Sequence, residues 1–285
     1  MKLIFLVLIS IGVLNATQTE IVHSSVSLYL EKKEFTNSIQ KNDGAVGGVG
    51  IDLHSGASAF KLNYEYGKTD TKQPPLHDDL KVHKIFSRYL YTLNKQLAFN
   101  LNYINIVSDN IAITDGGVTY GAGVSYKPLK SALLNFTQYY TVYDDFNVAQ
   151  SDVKLEYKSK IDMIGFRVSS ISKYIKIDEK SVNSFTKNAK SSYFTSGVKL
   201  HAHYSSWHAG VGAYFGKRAF AVMNGGFKTQ HHAMEFDRTY AIGFGKDIDS
   251  FVVRVQYIYQ RAEELPMQNE NVKVSNIRLT TNYKF

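Results

Sequence analysis

The sequence predicts an all-β protein, a transmembrane antiparallel up-and-down β-barrel of about fourteen strands, with twelve strands as the other possibility. Three observations predict it. The chain opens with a short apolar segment, apolar and polar residues then alternate with a period of two, and the last residue is aromatic. A period of two is the pattern of a strand with two different faces, because successive side chains point to opposite sides.

The first 16 residues have the features of a cleavable signal peptide. Lys2 precedes an apolar run over 3–14, and the polar Asn15 and small Ala16 follow it. The alternative is a short membrane anchor, but the run is shorter than the roughly 20 residues that a spanning helix needs. We therefore predict a signal peptide over residues 1–16 and an outer-membrane β-barrel over residues 17–285, exported in a Gram-negative bacterium.

Composition favours strands and removes several kinds of site. The chain has 20 Tyr and 17 Phe, which are strong strand formers, and it has no Cys. Without Cys there is no disulfide, thiolate metal site, Cys nucleophile or lipid-bearing N-terminal Cys. We find no phosphate-binding glycine loop, zinc signature or nucleic-acid motif, so we expect no cofactor and no nucleic-acid partner.

The alternating segments indicate a membrane barrel and not a soluble sandwich. One face is apolar and often has Tyr at its ends, whereas the other carries Gly, Ala, Ser, Asn and charged residues. A barrel in lipid turns the first face outward and the second towards a polar lumen, with aromatic girdles at both membrane interfaces. The clearest segments are 60–66, 97–103, 118–126 and 253–259.

Short and long connections alternate along the chain, as they do between the strands of such barrels. Six turns and seven long polar connections separate fourteen strands and leave both termini at the periplasmic side. The faces are less distinct over 80–93 and 150–178, which is why twelve strands remains possible. The predicted turns are 54–57, 93–96, 127–130, 158–161, 205–206 and 246–250. The predicted long connections are 34–43, 68–79, 108–115, 144–151, 173–190, 216–230 and 262–271.

The last ten residues form the most regular segment. Ile277, Leu279, Thr281, Tyr283 and Phe285 share one face. A final strand ending in Phe resembles the assembly signal of bacterial outer-membrane β-barrel proteins, with Tyr283 and Phe285 as its aromatic residues. In size and strand count the mature chain also resembles the monomeric fourteen-stranded porins, although no motif assigns it to one porin family. The resemblance implies outer-membrane lipid, lipopolysaccharide and the barrel-assembly machinery as partners.

Charged residues on the polar face are the candidates for a pore lining. Such side chains set ion preference, or they pair with each other and fill the wall. The net charge of +8 favours a mild anion preference. The selectivity candidates are Lys61, Glu65, Arg167, Lys199, Arg254 and Arg278, and Asp52, Lys154, Glu156, Glu235 and Asp237 complete the lumen set. Small inner faces, expected to leave room in the lumen, lie at Gly48–Gly50, Gly121–Gly123 and Gly210–Gly212.

The histidines near residue 205 predict a tight hairpin. With Ser205-Ser206 as a two-residue turn, His203 lies opposite His208 and both point into the lumen with His201. They are weak candidates for a shared transition metal, and three independent polar residues is the favoured alternative. His203 and Ser205 also resemble the catalytic pair of barrel deacylases, but an acidic third member is missing, so we predict no catalytic residue and no enzyme.

The function that these features predict is passive diffusion of small hydrophilic solutes, with mild anion preference. A surface adhesin or structural barrel is the alternative, and a lipid-modifying barrel enzyme is a weaker one. The longest predicted loop, 173–190, either folds inward to constrict the pore or projects as a binding surface. Arg238 shares the apolar face of its segment, so it either meets lipopolysaccharide phosphate or a bulge resets the register.

Overall fold

In a computed structural model the chain forms one closed antiparallel barrel of fourteen strands, as the sequence predicts. The structure describes residues 21–72, 76–108, 112–181 and 188–285. The predicted signal peptide lies outside these residues. Within them, no helix is long and apolar enough to span a membrane.

Each barrel strand pairs with its neighbours in the chain, and β1 closes the barrel against β16. Two short strands, β12 (Val222–Met223) and β13 (Lys228–Thr229), pair only with each other. The barrel strands are β1 (Ile21–Thr36), β2 (Lys41–Ser55), β3 (Ser58–Thr71), β4 (Leu80–Thr92), β5 (Leu97–Ser108), β6 (Val118–Leu129), β7 (Ala132–Val142), β8 (Phe146–Ile161), β9 (Ile164–Glu179), β10 (Ser192–Tyr204), β11 (Trp207–Arg218), β14 (Met234–Ile248), β15 (Phe251–Glu264) and β16 (Asn269–Lys284).

Both ends of the described chain lie at the same end of the barrel as the six short turns, which we call the turn end. Several of these turns have a residue at positive φ, among them Gly56, Asp162, Ser205 and Asp249. Tight hairpins require this conformation. The turn predicted at 158–161 lies at 162–163 instead, because β8 continues to Ile161. The opposite end, with the remaining connections, is the loop end.

The outer face of the barrel is apolar, as predicted, and aromatic rings encircle it near the turn end. On β10, Phe194 and Tyr204 both point outward and are 59% and 47% exposed. Ten residues at about 3.3 Å each, tilted by about 40°, separate them by about 25 Å along the barrel axis, which is the height of a membrane-facing band. The turn-end ring consists of Tyr91, Tyr126, Tyr157, Tyr204, Trp207, Phe251, Tyr283 and Phe285.

Towards the loop end the two faces exchange their polarity. On β8, Val153, Leu155 and Tyr157 point outward, whereas Phe146 and Val148, nearer the loop end, point inward and are fully buried. The predicted connection 144–151 was therefore wrong, because most of it is strand whose apolar residues face the lumen. The connections predicted at 34–43 and 262–271 are shortened for the same reason.

The inner apolar residues of the loop-end half enclose a core that continues into the lumen. Phe86, Ile104 and Ile175 pack there against Phe220 and Val222, which come from the connection between β11 and β14. A second cluster of Phe35, Met234, Phe236, Ala262, Val272 and Val274 covers the β1–β16 side. The barrel is thus packed in its loop-end half and polar inside its turn-end half.

Candidate functional site

Residues 219–233, which we call the lumen hairpin, fold back into the barrel and cross its interior. Phe220 and Ala221 are fully buried, and the Phe220 ring lies 4.7 Å from the ring of Phe146. At the tip, Asn224, Gly225 and Gly226 all have positive φ, which an Asn-Gly-Gly turn supplies at low cost. The sequence contained a signal for this element, because five consecutive apolar residues at 219–223 precede that turn inside a predicted polar connection.

The hairpin is attached to the wall formed by β8 and β9. The side-chain amide of Gln150 donates to the Val222 carbonyl oxygen and accepts from the Val222 backbone N–H, both at 2.8 Å. Lys173 Nζ donates to the same carbonyl oxygen at 3.0 Å and forms a buried ion pair with Asp152. Because all of these groups are shielded from water, the attachment is specific to this hairpin conformation.

The other side of the hairpin contacts a buried cluster of charges on β1, β3, β4 and β16. Arg278 donates to Glu31 at 2.6 Å, and Lys228 of the hairpin lies 3.7 Å from the same carboxylate. Nearby, Glu65 accepts from Lys84 and from the Tyr29 hydroxyl, both at 2.7 Å. With Lys33 at 3.6 Å from Glu31, four basic residues surround two carboxylates, so this charged cluster keeps an excess of positive charge.

Burial perturbs the ionisable groups of the hairpin itself. It lowers the pKa of Lys228 to about 8, against an opposing effect of Glu31. His231 and His232 stack with ring centroids 4.1 Å apart, and burial holds the pKa of each well below its usual value. Nearby lysines, including Lys33 and Lys84, act in the same direction. Both imidazoles are therefore neutral while the hairpin is in place.

Several wall glycines make room for tyrosine rings and not for solute. Gly48, Gly121 and Gly197 lie directly across from Tyr29, Tyr139 and Tyr214 on the neighbouring strands, and each ring covers the position of a glycine Cβ. Cross-strand pairs of this kind stabilise sheet glycines by packing. The expectation of open space was wrong at Gly48 and Gly121, whereas Gly210 and Gly212 do line a cavity of about 370 Å³.

The turn-end half of the lumen contains a polar space that we call the vestibule. Two adjoining cavities of about 800 Å³ each share Lys61, Asn224 and Arg254 in their walls. Asn224, at the tip of the hairpin, therefore forms part of the vestibule boundary. Arg167 and Lys199 line the same space, where basic residues outnumber acidic ones.

The selectivity candidates differ in how freely they face this space. Lys61 is paired with Asp52 at 3.0 Å, and the Lys199 ammonium lies 5.6 Å from the centre of the Tyr214 ring. Among the described residues, Arg167 and Arg254 form no salt bridge within 4 Å. Glu65 and Arg278 belong to the buried charged cluster. The remaining predicted charges are paired: Lys154 with Glu156, Glu235 with Lys217, and Asp237 with Arg261.

Arg254 and Arg278 lie diagonally across β15 and β16. Arg254 pairs in register with Thr280, and Arg278 pairs with Gln256. Of these two selectivity candidates, Arg254 forms no salt bridge among the described residues, whereas Glu31 holds Arg278. Glu31 was missed in the sequence, although Leu28 and Leu30 mark the outer face of β1 and place Glu31 on the inner one.

The turn-end histidines occupy the predicted hairpin. His203 lies opposite His208, with ring centroids 4.8 Å apart, and the His201 ring is 5.6 Å from His208. His208 Nε2 lies 2.9 Å from Asp247 Oδ1, a carboxylate that the sequence pattern did not place there. Across the described ranges, no group of three or more His, Cys, Asp or Glu residues is arranged to hold a metal ion.

Two further predictions are resolved by the strands around the lumen hairpin. A bulge lies between Phe236 and Arg238, so Phe236 points into the lumen while Arg238 remains on the outer face. The first seven residues of the predicted loop 173–190 are strand, because β9 continues to Glu179. Among the described residues, the segment that enters the lumen is 219–233.

Comparison with solved structures agrees with this architecture. Acinetobacter baumannii outer membrane protein Omp33 is 10% identical, with 93% of this chain and 100% of that chain covered and a TM-score of 0.52. The Ralstonia pickettii toluene transporter TbuX is 9% identical, with 92% and 88% covered and a TM-score of 0.55. A bacterial polysaccharide outer membrane secretin is 7% identical, with 92% and 98% covered and a TM-score of 0.60.

The chain has the fold of outer-membrane β-barrel proteins. No family model and no curated protein matches it. At 7–10% identity these likenesses concern the fold alone. The lumen hairpin and the vestibule must therefore be interpreted from their own chemistry.

Proposed function

We propose that this barrel is an outer-membrane channel for small hydrophilic solutes, constricted by the lumen hairpin. One observation carries the proposal: an apolar outer face surrounds a polar vestibule of two 800 Å³ cavities, and the inserted lumen hairpin lies between this vestibule and the loop end. Barrels of more than about eight strands have room for water beyond their packed side chains. Omp33 and the toluene transporter TbuX, which share the fold, are an outer membrane protein and a transporter by name.

The proposed location is the outer membrane of a Gram-negative bacterium, with the turn end in the periplasm. Lipid contacts the apolar band, lipopolysaccharide contacts the outer face near the loop end, and the barrel-assembly machinery inserts the chain. No catalytic role is proposed for any residue.

Mild anion preference is the proposed selectivity. Arg167 and Arg254 face the vestibule without a salt bridge among the described residues, and Lys199 has only an aromatic partner there. Unpaired cationic groups lower the barrier for anions and raise it for cations. The charged cluster contributes further positive charge where the hairpin meets the β1 wall.

Single-channel recording in planar bilayers tests the channel. The wild type and a variant with residues 219–233 replaced by a short Gly-Ser turn are compared, after heat-modifiable migration has shown that both fold. We expect small, intermittent conductance from the wild type and larger, steady conductance from the variant. If neither conducts, the filled loop-end half favours the alternative of a structural or adhesive barrel.

A further inference from the structure

A separate cavity of about 120 Å³ lies between the lumen hairpin and the wall of β11, β14, β15, β16 and β1. We call it the hairpin cavity. The hairpin lines it with Met223, Asn224 and Lys228–His232. Gln256 and Arg278 line both this cavity and the 370 Å³ cavity that joins the vestibule. The hairpin cavity therefore lies on the way from the vestibule to the loop end.

Arg218 is the unusual group in its wall. The side chain is 1% exposed, and its Nη2 donates to the Thr239 hydroxyl. Neither Nε nor Nη1 has a hydrogen-bond partner among the described residues, and no carboxylate there forms a salt bridge with Arg218. The guanidinium carbon lies 5.7 Å from the ring centre of Tyr214 and 5.5 Å from that of Phe236. A buried cation with unsatisfied donors is unfavourable unless an anion pairs with it.

Two other polar atoms that line the same cavity have no hydrogen-bond partner among the described residues. They are His232 Nε2 of the hairpin and Asn276 Oδ1 of β16. Buried polar atoms are nearly always hydrogen bonded, so several at one cavity point to a polar ligand. Apolar side chains beside Arg218 include Phe35, Phe236, Ile258 and Val274. The charged cluster lines the same cavity, with Glu31, Glu65, Lys33, Lys84, Lys228 and Arg278. The site thus combines a guanidinium that has no carboxylate partner among the described residues with apolar side chains and an excess of basic groups.

We propose that the hairpin cavity binds a small monocarboxylate with a short apolar chain, its carboxylate on Arg218. A dry cavity of about 150 Å³ accepts benzene, so one of 120 Å³ suits a ligand of about six non-hydrogen atoms. A carboxylate accepts hydrogen bonds from the free donors of Arg218, and the apolar side chains beside Arg218 suit a short hydrocarbon chain. The inference rests on the proposed function in one respect, since it takes the ligand to be a transported solute.

Isothermal titration of the detergent-folded barrel tests the site, with butyrate as probe and butyramide as its uncharged counterpart. We expect butyrate to bind about 10- to 100-fold more tightly than butyramide, because hydrogen bonds to a charged group are the strong ones. Equal affinities for the two compounds, or no binding of butyrate at millimolar concentration, would overturn the site.

Two arginine variants test whether Arg218 is the residue that binds the carboxylate. Arg218→Met should remove the preference for butyrate while butyramide still binds, and Arg238→Met, with the same charge change on the outer face of β14, should keep it. Loss of the preference in both variants, or in neither, would overturn the role of Arg218. Heat-modifiable migration of each variant shows that the barrel is intact.

The binding data also separate this proposal from the channel proposal. A barrel that conducts but does not prefer butyrate overturns the hairpin-cavity site and leaves the channel standing. A barrel that binds butyrate through Arg218 and never conducts keeps the site but overturns its assignment to a transported solute.

Discussion

Gln150 and Val222 are joined by two hydrogen bonds, since the glutamine side chain of β8 pairs with the backbone of the hairpin as a neighbouring strand would. The backbone of β8 already pairs with β7 and β9, so the hairpin is bound by a side chain of the wall and not by its backbone. The pairing holds the hairpin without making it part of the sheet. Displacement of the hairpin therefore breaks these side-chain bonds and exposes its buried apolar residues, but it leaves the hydrogen bonds between the barrel strands intact.

Gln150→Ala should loosen the hairpin and raise open probability in single-channel recordings. Two buried hydrogen bonds are lost, which costs about 1–3 kcal/mol of docking free energy. Gln138→Ala is the matched control, because Gln138 lies on the adjacent strand β7 but points outward and bonds Ser151. Equal gating in the two variants would contradict the role of Gln150.

Lys173→Met should destabilise the barrel by about 3–5 kcal/mol, because it leaves Asp152 buried without its partner. Urea unfolding in lipid vesicles measures this free energy. Lys176→Met on the same strand removes an exposed pair with Asp178 and should leave the free energy unchanged. A large effect of Lys176→Met would mean that the loss of unfolding free energy is not specific to the buried Lys173–Asp152 pair.

Arg254→Ser alone should shift the reversal potential across a salt gradient towards cation preference. Arg254 faces the vestibule and has no salt bridge among the described residues, whereas Arg278 is held by Glu31. Arg278→Ser should therefore alter hairpin stability more than selectivity. An unchanged reversal potential for Arg254→Ser would remove that residue from the conducting path.

Hairpin docking should weaken as the pH falls below about 6.5. His231 and His232 are neutral in the docked hairpin, since burial holds their pKa values well below the usual range, and a released hairpin would take up protons. The histidines therefore favour the docked hairpin fully above about pH 6.5, and this contribution to docking decreases as the pH falls below that value. We expect a higher open probability at pH 5 than at pH 7.5.

The double variant His231→Asn/His232→Asn should abolish this pH dependence. His83→Gln is the control, because His83 lies on the outer face and contacts the Tyr64 hydroxyl at 2.7 Å. Retention of the pH effect in the double variant would assign it to groups other than these two histidines.

Phe285→Asp should lower the amount of barrel that reaches the cell surface. Phe285 exchanges backbone hydrogen bonds with Ser24 of β1 at the seam, and its ring lies in the turn-end aromatic ring. Phe251→Asp places the same charge in that ring, beside Tyr283, but away from the last residue. Equal loss in both variants would show that the girdle, and not an end-of-chain signal, is what assembly needs.

The strands that the sequence placed best are those whose outer face stays apolar over most of their length. β16 is one, because Ile277, Leu279 and Tyr283 all lie within the apolar band. β8 was harder, since its apolar residues move from the outer to the inner face at about residue 150 and a single alternation cannot describe both halves. Segments 80–93 and 150–178 were indistinct for this reason.

The site was predicted less completely than the fold. Alternation alone placed Lys61 and Arg254 on the inner wall, because the side to which a residue points is a local property. Which charges pair is not local: Glu31 and Arg278 meet only because β1 closes against β16, and Lys228 joins them only because the hairpin folds inward. Arg218, which has no carboxylate partner among the described residues, could be recognised only once its surroundings were known.

The exchange of polarity along the strands divides the barrel at one level, where the outer face changes from apolar to polar. Nearer the turn end, Ile85, Val153 and Ile277 face outward; nearer the loop end, Lys81, Lys176 and Lys273 face outward. The loop-end half resembles a water-soluble barrel in construction, because its polar face points outward and its apolar face encloses a core. The barrel therefore consists of two halves: a turn-end half with an apolar outer face around a polar interior, and a loop-end half with an apolar core.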